Sequence, residues 1–156
     1  MLEMVLPRYA AGRDKPPPAI PAGPSSAGKE KWLGTRVLIV EDEMMIAWMI
    51  ESLLSDAGFT DIVVAADGEE ACRLASETAP GLVVSDINLG AGINGVEAAV
   101  AICSDGQIPV LFVTAYADAS ARARIAEHFP GAELLRKPLD RKTLMAAVAR
   151  ALDPPH

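Results

Sequence analysis

Acidic side chains follow two apolar segments of the chain, each at the point where the segment ends. Glu41, Asp42 and Glu43 come directly after the run Val37–Val40, and Asp86 closes the segment LVVSD. A run of branched apolar residues indicates a strand buried on both faces, so these carboxylates stand at the edge of a core. Carboxylates this close repel one another unless a cation joins them. Oxygen ligands with open positions suit Mg²⁺, which keeps waters and binds phosphate oxygens.

A hydroxyl and an ammonium group end two further apolar segments. VLFVT ends at Thr114, and ELLRKP brings Lys137 to a segment end. Together with a metal, these groups could surround a phosphoryl group carried on a carboxylate. Glu43 fits better as a favourable charge in the first turn of the following helix than as a ligand. The pattern predicts a magnesium-dependent phosphoryl site.

These groups can meet only if the chain alternates between strands and helices. Apolar strand patterns occur at Val37–Val40, Ile62–Ala65, Leu82–Ser85, Val110–Val113 and Ala132–Leu135, and helical patterns at about 43–57, 67–78, 94–103, 118–128 and 140–152. Five such units predict an α/β fold, a doubly wound five-stranded parallel sheet with five helices on its two faces. In such sheets ligands bind beyond the carboxyl ends of the strands, where the candidate groups fall.

Local signals mark the ends of several helices. Asp67 with Glu70 three residues later is typical of a capping box. Asp140 can cap the last helix, and Gly58 suits a helix C-terminus.

Composition bounds the domain and its partners. Residues 1–34 hold six of the twelve prolines and lack a periodic apolar face, so we expect a disordered proline-rich tail before a domain at 35–153. In that tail we place Trp32.

From Arg36 onward 18 acidic residues face 9 basic ones, a poor balance for binding nucleic acid. No apolar run approaches the roughly 20 residues of a membrane span. Cys72 and Cys103 in apolar helical stretches favour a reduced, cytoplasmic protein.

The segments EDE, SDIN, VTAY and RKP occur in this order, each at a predicted strand end. With these segments, the chain resembles the receiver domain of bacterial response regulators over about residues 36–152. The resemblance implies the flavodoxin-like strand order 2-1-3-4-5. FVTAY is similar to the FAT GUY subgroup, whose members are often stand-alone receivers, several of them linked to stress-signalling histidine kinases.

The resemblance implies roles for the residues of the site. Asp86 would be the phosphoacceptor. Asp42 would bind Mg²⁺ directly, Glu41 mostly through water, and Asn88 through its backbone carbonyl, which would leave the Asn88 side chain less constrained.

Further roles follow from the other strand ends. By the same resemblance, Thr114 would contact the phosphoryl group and Lys137 would pair with it, with a cis peptide before Pro138. Leu134 stands where many receivers carry an aromatic switch residue. Tyr116, which follows the threonine by two positions, could take over part of that role.

The resemblance also implies the partners. A histidine kinase or histidine phosphotransferase would supply the phosphoryl group, and the output would be protein–protein contact or phosphoryl traffic rather than enzymatic turnover. A phosphorylation-independent binding module is an alternative. An aspartate-nucleophile phosphatase is another, but Asn88 cannot act as the general acid that it requires.

One helix carries a candidate partner surface. In the first helix Ile46, Met49, Ile50 and Leu53 share a stripe that should face the sheet. Met44 and Trp48 fall near the opposite side. Since receivers commonly meet their kinases through this helix and Trp is enriched at interaction hot spots, we expect Trp48 to contribute to docking.

Overall fold

The computed structural model describes residues 32–89, 92–103 and 108–153. The strands are β1 (Val37–Val40), β2 (Ile62–Ala65), β3 (Leu82–Asp86), β4 (Val110–Thr114) and β5 (Glu133–Arg136). The helices are α1 (Met44–Ala57), α2 (Gly68–Thr78), α3 (Gly95–Ile102), α4 (Ala119–His128) and α5 (Arg141–Leu152). All ten predicted elements are present. The predicted helices began one residue earlier because they included the residue that caps each helix.

The strands form one parallel sheet in the order β2-β1-β3-β4-β5. This confirms the predicted α/β fold and its flavodoxin-like order. Val40 pairs with Ser85, and Asp86 pairs with Val113. Because neighbouring strands end nearly in register, the residues that follow β1 lie beside the end of β3.

Helices cover both faces of the sheet. Successive residues of a strand point to opposite faces, so Val37 and Ile39 join one core cluster while Leu38 and Val40 join the other. The first cluster includes buried residues of α1 and α5, and the second includes buried residues of α2, α3 and α4. None of the helices in the described ranges has the length and apolar character needed to cross a bilayer.

Side-chain caps start four of the five helices. Asp67, Asn94, Asp118 and Asp140 each accept a hydrogen bond from the backbone N–H three residues later. The predicted capping box at Asp67 is only half formed, since the Glu70 carboxylate accepts from the N–H of Ala66 instead of Asp67. At the end of α1, Gly58 adopts the left-handed conformation (φ 116°) expected of it.

Trp32 does not belong to a tail. Its side chain is 6% exposed, and its ring stacks on Phe59 with ring centroids 5.7 Å apart. Leu33 packs against the same core cluster. The assignment of Trp32 to the tail was therefore wrong, because a single aromatic beyond the periodic segments gives no signal of its tertiary contact. Of the predicted tail, 1–34, residues 1–31 lie outside the described residues.

Candidate functional site

Three carboxylates meet at the carboxyl end of the sheet. Glu41 and Asp42 follow β1, and Asp86 is the last residue of β3. One oxygen of each lies within 4.8 Å of an oxygen of the other two. Glu41 and Asp86 are buried, whereas Asp42 is exposed. Strand register explains why Glu41 and Asp86 lie together, because Val40 and Ser85 are paired and the residue after each of them carries a carboxylate.

Lys137 reaches into the same group. Its Nζ lies 2.8 Å from Oε1 of Glu41 and 3.3 Å from Oδ2 of Asp86. The Lys137 N–H donates to the carbonyl of Thr114, which holds the lysine against the end of β4. The peptide between Lys137 and Pro138 is cis, as the resemblance implied. The ammonium thus bridges two buried carboxylates.

Burial dominates the electrostatics of Glu41. Burial raises the pKa of its carboxyl, the Lys137 ammonium lowers it, and the nearby charge of Asp86 raises it, so that the pKa is about 7 instead of 4.5. For Lys137, burial alone would lower the pKa, but the contacts with Glu41 and Asp86 outweigh burial and raise it. The two residues therefore form a buried ion pair whose acidic member is easily protonated.

The donor set fits a hard divalent cation. Oε1 of Glu41 is buried and, among the described residues, receives no hydrogen bond of good geometry although the Lys137 ammonium is close. One ammonium cannot neutralise three ionised carboxylates. Carboxylate oxygens with a solvent-facing member, here Asp42, are ligands that Mg²⁺ accepts. Glu41, Asp42 and Asp86 could hold such an ion.

Thr114 and Asn88 form a hydrogen-bond network beside the carboxylates. The Thr114 hydroxyl donates to the Tyr116 carbonyl at 2.7 Å and accepts from the Tyr116 N–H at 3.2 Å. Nδ2 of Asn88 donates to Oγ1 of Thr114 at 3.1 Å and to the Tyr116 carbonyl at 3.0 Å. The Asn88 N–H donates to Oδ1 of Asp86 at 3.2 Å. The expectation of a less constrained Asn88 side chain was therefore wrong, because no sequence pattern shows which backbone the amide faces.

Gly95 is a site residue that the sequence analysis did not single out. A Cβ at this position would lie 1.7 Å from the backbone oxygen of Asp86. The Gly95 N–H also donates to the carbonyl of Ile87 at 2.9 Å. The start of α3 thus packs directly on the backbone that carries Asp86, and only glycine allows this approach. A glycine following the Asn94 cap was the available signal.

The remaining predicted residues differ in how far they are exposed. Tyr116 is 68% exposed, and Leu134 is partly buried against the second core cluster. On α1, Met44 and Trp48 are exposed as predicted, and so is Met45. The buried face of α1 centres on Ala47, Ile50 and Leu54. Ile46, Met49 and Leu53 flank it and are partly buried.

Comparisons with known proteins agree with this geometry. The chain is 36% identical over 121 residues to the phyllosphere-induced regulator PhyR of Methylorubrum extorquens, a match that covers 77% of this chain and 44% of that protein. The solution structure of the Erythrobacter litoralis PhyR receiver domain superposes with a TM-score of 0.66 at 32% identity, covering 79% and 95% of the two chains. Vibrio cholerae CheY4 superposes with a TM-score of 0.68 at 29% identity, covering 76% and 99%.

The chain spans about half the length or less of the curated relatives that it matches. The family model described as the response regulator receiver domain matches residues 37–149. These residues include all five strands and the three carboxylates. The chain therefore belongs to the response regulator receiver domain family.

Proposed function

We propose that this protein is a response regulator that accepts a phosphoryl group on Asp86. The observation that carries the proposal is the position of Asp86, whose carboxylate lies within 4.8 Å of Glu41 and Asp42 and 3.3 Å from the Lys137 ammonium. A carboxylate at the end of a strand, between an acidic pair and an ammonium, can act as a nucleophile toward phosphorus when the charges around it are balanced.

The donor would be a phosphohistidine of a histidine kinase or histidine phosphotransferase. One Asp86 oxygen forms a bond to phosphorus as the bond between phosphorus and the imidazole nitrogen breaks, and the imidazole takes up a proton. Lys137 attracts the phosphoryl oxygens, and Thr114 can turn its hydroxyl toward them. The Asn88 N–H steadies the second Asp86 oxygen. Glu41, Asp42 and Asp86, with the Asn88 carbonyl, would hold Mg²⁺, which supplies charge neutralisation for the phosphoryl group.

Asp86→Asn tests the acceptor. An amide oxygen is a much weaker nucleophile, so we expect this variant to lose labelling by a small phosphodonor in the presence of Mg²⁺. Asp56→Asn makes the same chemical change at an exposed position of α1 and should label like the wild type. Labelling of Asp86→Asn at the wild-type level, with the label mapped to another residue, would rule out Asp86.

The same donor assay separates the alternatives. A stable phosphate on Asp86 supports the phosphoacceptor, and multiple turnover with release of inorganic phosphate supports a phosphatase. If neither labelling nor turnover is observed, the phosphorylation-independent module is supported. Asn88 stands two residues after the nucleophile, where a phosphatase would need a proton donor, and an amide cannot serve. We therefore favour a phosphoacceptor whose output is contact with other proteins or phosphoryl traffic.

Magnesium binding has a readout that does not depend on labelling. A ligand that binds only the folded state raises its stability, so we expect the melting temperature to rise with millimolar Mg²⁺ and to rise less in Asp42→Asn. Because this substitution also removes repulsion among the carboxylates, the rise is measured for each protein against its own melting temperature without metal. A melting temperature independent of Mg²⁺ in the wild type would show that the three carboxylates do not form one metal site.

A further inference from the structure

The single proton of the Thr114 hydroxyl is already committed. It is donated to the Tyr116 carbonyl at 2.7 Å. The oxygen also accepts from the Asn88 amide and from the Tyr116 N–H. A hydroxyl offers one donor and two acceptor positions, so Oγ1 is fully occupied. Thr114 is entirely buried, so water does not reach its hydroxyl.

This hydrogen bond matters for the proposed function, and the inference below rests on that function. To contact a phosphoryl group on Asp86, the Thr114 hydroxyl must withdraw its proton from the Tyr116 carbonyl. A carbonyl that loses its donor is destabilised unless another donor holds it. Without a protein donor, the carbonyl would depend on water, and the segment 115–118 between β4 and α4 would be free to move along with the hydroxyl.

Asn88 provides the second donor to the same carbonyl. Its Nδ2 lies 3.0 Å from the Tyr116 carbonyl oxygen and 3.1 Å from Oγ1 of Thr114. An amide nitrogen carries two protons, one for each of these contacts. The reverse orientation of the amide would face two oxygens toward each other at 3.0 Å, so the neighbours determine which way the amide points.

We propose that the Asn88 side chain is a positioning residue that keeps the Tyr116 carbonyl hydrogen-bonded when the Thr114 hydroxyl leaves it. Thr114 then redirects its proton by rotation of its own side chain, and the backbone at 115–118 stays in place. Asn88 thereby links the segment that follows the acceptor Asp86 to the segment after β4, which carries the exposed Tyr116 ring. This role belongs to the side chain and is separate from the backbone carbonyl proposed as a metal ligand.

The proposal can be tested without any ligand, by a double-mutant cycle on the full chain. Thr114→Val removes the hydroxyl donor with nearly the same shape, and Asn88→Leu removes the amide donors at similar size. The readout is the ¹³C resonance of the Tyr116 carbonyl together with the backbone amides of 115–118. Of the two donors that the described residues supply to the carbonyl, each single variant leaves one and the double variant removes both. We expect the shift in the double variant to exceed the sum of the single shifts.

A second substitution distinguishes a specific amide role from simple access of water. Asn88, Tyr116 and Arg124 line a cleft of about 170 Å³ beside the site. In Thr114→Val, Asn88→Ala would let water enter from this cleft and replace the amide, so its excess shift should be smaller than that of Asn88→Leu. The alanine variant also completes the cycle if the leucine variant does not fold. Additive shifts, or no effect of either Asn88 substitution in the Thr114→Val background, would overturn the proposal.

A second experiment adds beryllofluoride with Mg²⁺, which on a carboxylate is an analogue of the acyl phosphate. In the wild type we expect the Thr114 side-chain resonances to move while the Tyr116 carbonyl resonance shifts no further than it does in Thr114→Val, and in Asn88→Leu we expect a larger carbonyl shift. A large displacement of the Tyr116 carbonyl in the wild type would overturn the positioning role. If Thr114 does not respond to the analogue at all, the proposed function fails, while the ligand-free cycle still decides the role of Asn88.

Discussion

Glu41 is the least hydrated carboxylate of the site, with 2% of its surface exposed. Its partner is the Lys137 ammonium, and the charge of Asp86 acts against it. A buried carboxylate in this position resists ionisation. The folded protein therefore holds the Glu41 proton more tightly than the unfolded chain does.

This difference predicts how stability depends on pH when a chelator removes divalent cations. The pKa of Glu41 is 4.5 in the unfolded reference and about 7 when folded. Between these values the folded state binds more protons, so the free energy of unfolding should fall as pH rises from about 4.5 to 7, by up to about 3 kcal/mol. Urea unfolding at several pH values measures this slope. Glu41→Gln should flatten it, and an equal slope in that variant would contradict the assignment.

Tyr116 presents its ring to solvent while its backbone is tied to Thr114. If the ring takes part in switching, beryllofluoride with Mg²⁺ should shift its NMR ring resonances. Tyr116→Ala should weaken discrimination between the two states by a partner and leave labelling of Asp86 largely intact. Tyr116→Phe serves as the control that keeps the ring. Ring signals that are identical with and without the analogue would remove Tyr116 from the mechanism.

At the scale of elements, α1 differs from the other helices in its first turns. Its N-cap residue Glu43 makes no side-chain capping bond. The helix starts directly after the acidic pair, and its outer face exposes Met44, Met45 and Trp48. Large apolar side chains that are costly to leave in water often mark sites of protein contact. This surface follows the acidic pair of the proposed phosphoacceptor site, where the proposed phosphohistidine donor would approach.

We expect Trp48 to contribute to docking of the phosphodonor protein. Trp48 is 60% exposed, so Trp48→Ala should fold normally and accept phosphate from a small donor at the wild-type rate. Transfer from the cognate kinase or phosphotransferase should fall by about tenfold or more, the loss of a typical hot-spot residue. Glu127→Ala, at an exposed position of α4, is the control. Unfolding of Trp48→Ala, or transfer at the wild-type rate, would assign Trp48 to the core or leave it incidental.

At the scale of the whole molecule, two core clusters on opposite faces of one sheet hold the site in place. The first extends beyond the periodic segments to Trp32, which stacks on Phe59. The second supports the connection after β3 through Ile87 and Leu89. The N-terminal limit of the packed domain therefore lies at or before residue 32.

Trp32 gives a direct test of this limit. Trp32→Ala should lower the free energy of unfolding by about 3 kcal/mol, the usual cost of truncating a buried large aromatic. A chain starting at residue 32 should stay within about 0.5 kcal/mol of the full chain if residues 1–31 form the predicted tail. Urea unfolding compares the three proteins. Equal stability of Trp32→Ala and the wild type would show that the Trp32 contact does not stabilise the fold.

The sequence by itself determined the succession of strands and helices along the chain, the α/β class and the group of candidate residues. Apolar runs such as Val37–Val40 are short and end in charged residues, and parallel strands place such ends at one edge. Capping residues such as Asp140 indicated where helices begin. These signals are local, so they can be identified from neighbouring residues alone.

Only the tertiary structure decided contacts between residues distant along the chain. Burial of Trp32 depends on Phe59, the close approach of Gly95 depends on the backbone of Asp86, and the Asn88 amide depends on the carbonyl of Tyr116. The raised pKa of Glu41 likewise arises from its burial in the folded protein and from the charge of Asp86, which the pairing of β1 with β3 brings beside it. Packing and hydrogen-bond geometry set these contacts, and no spacing within a single segment encodes them.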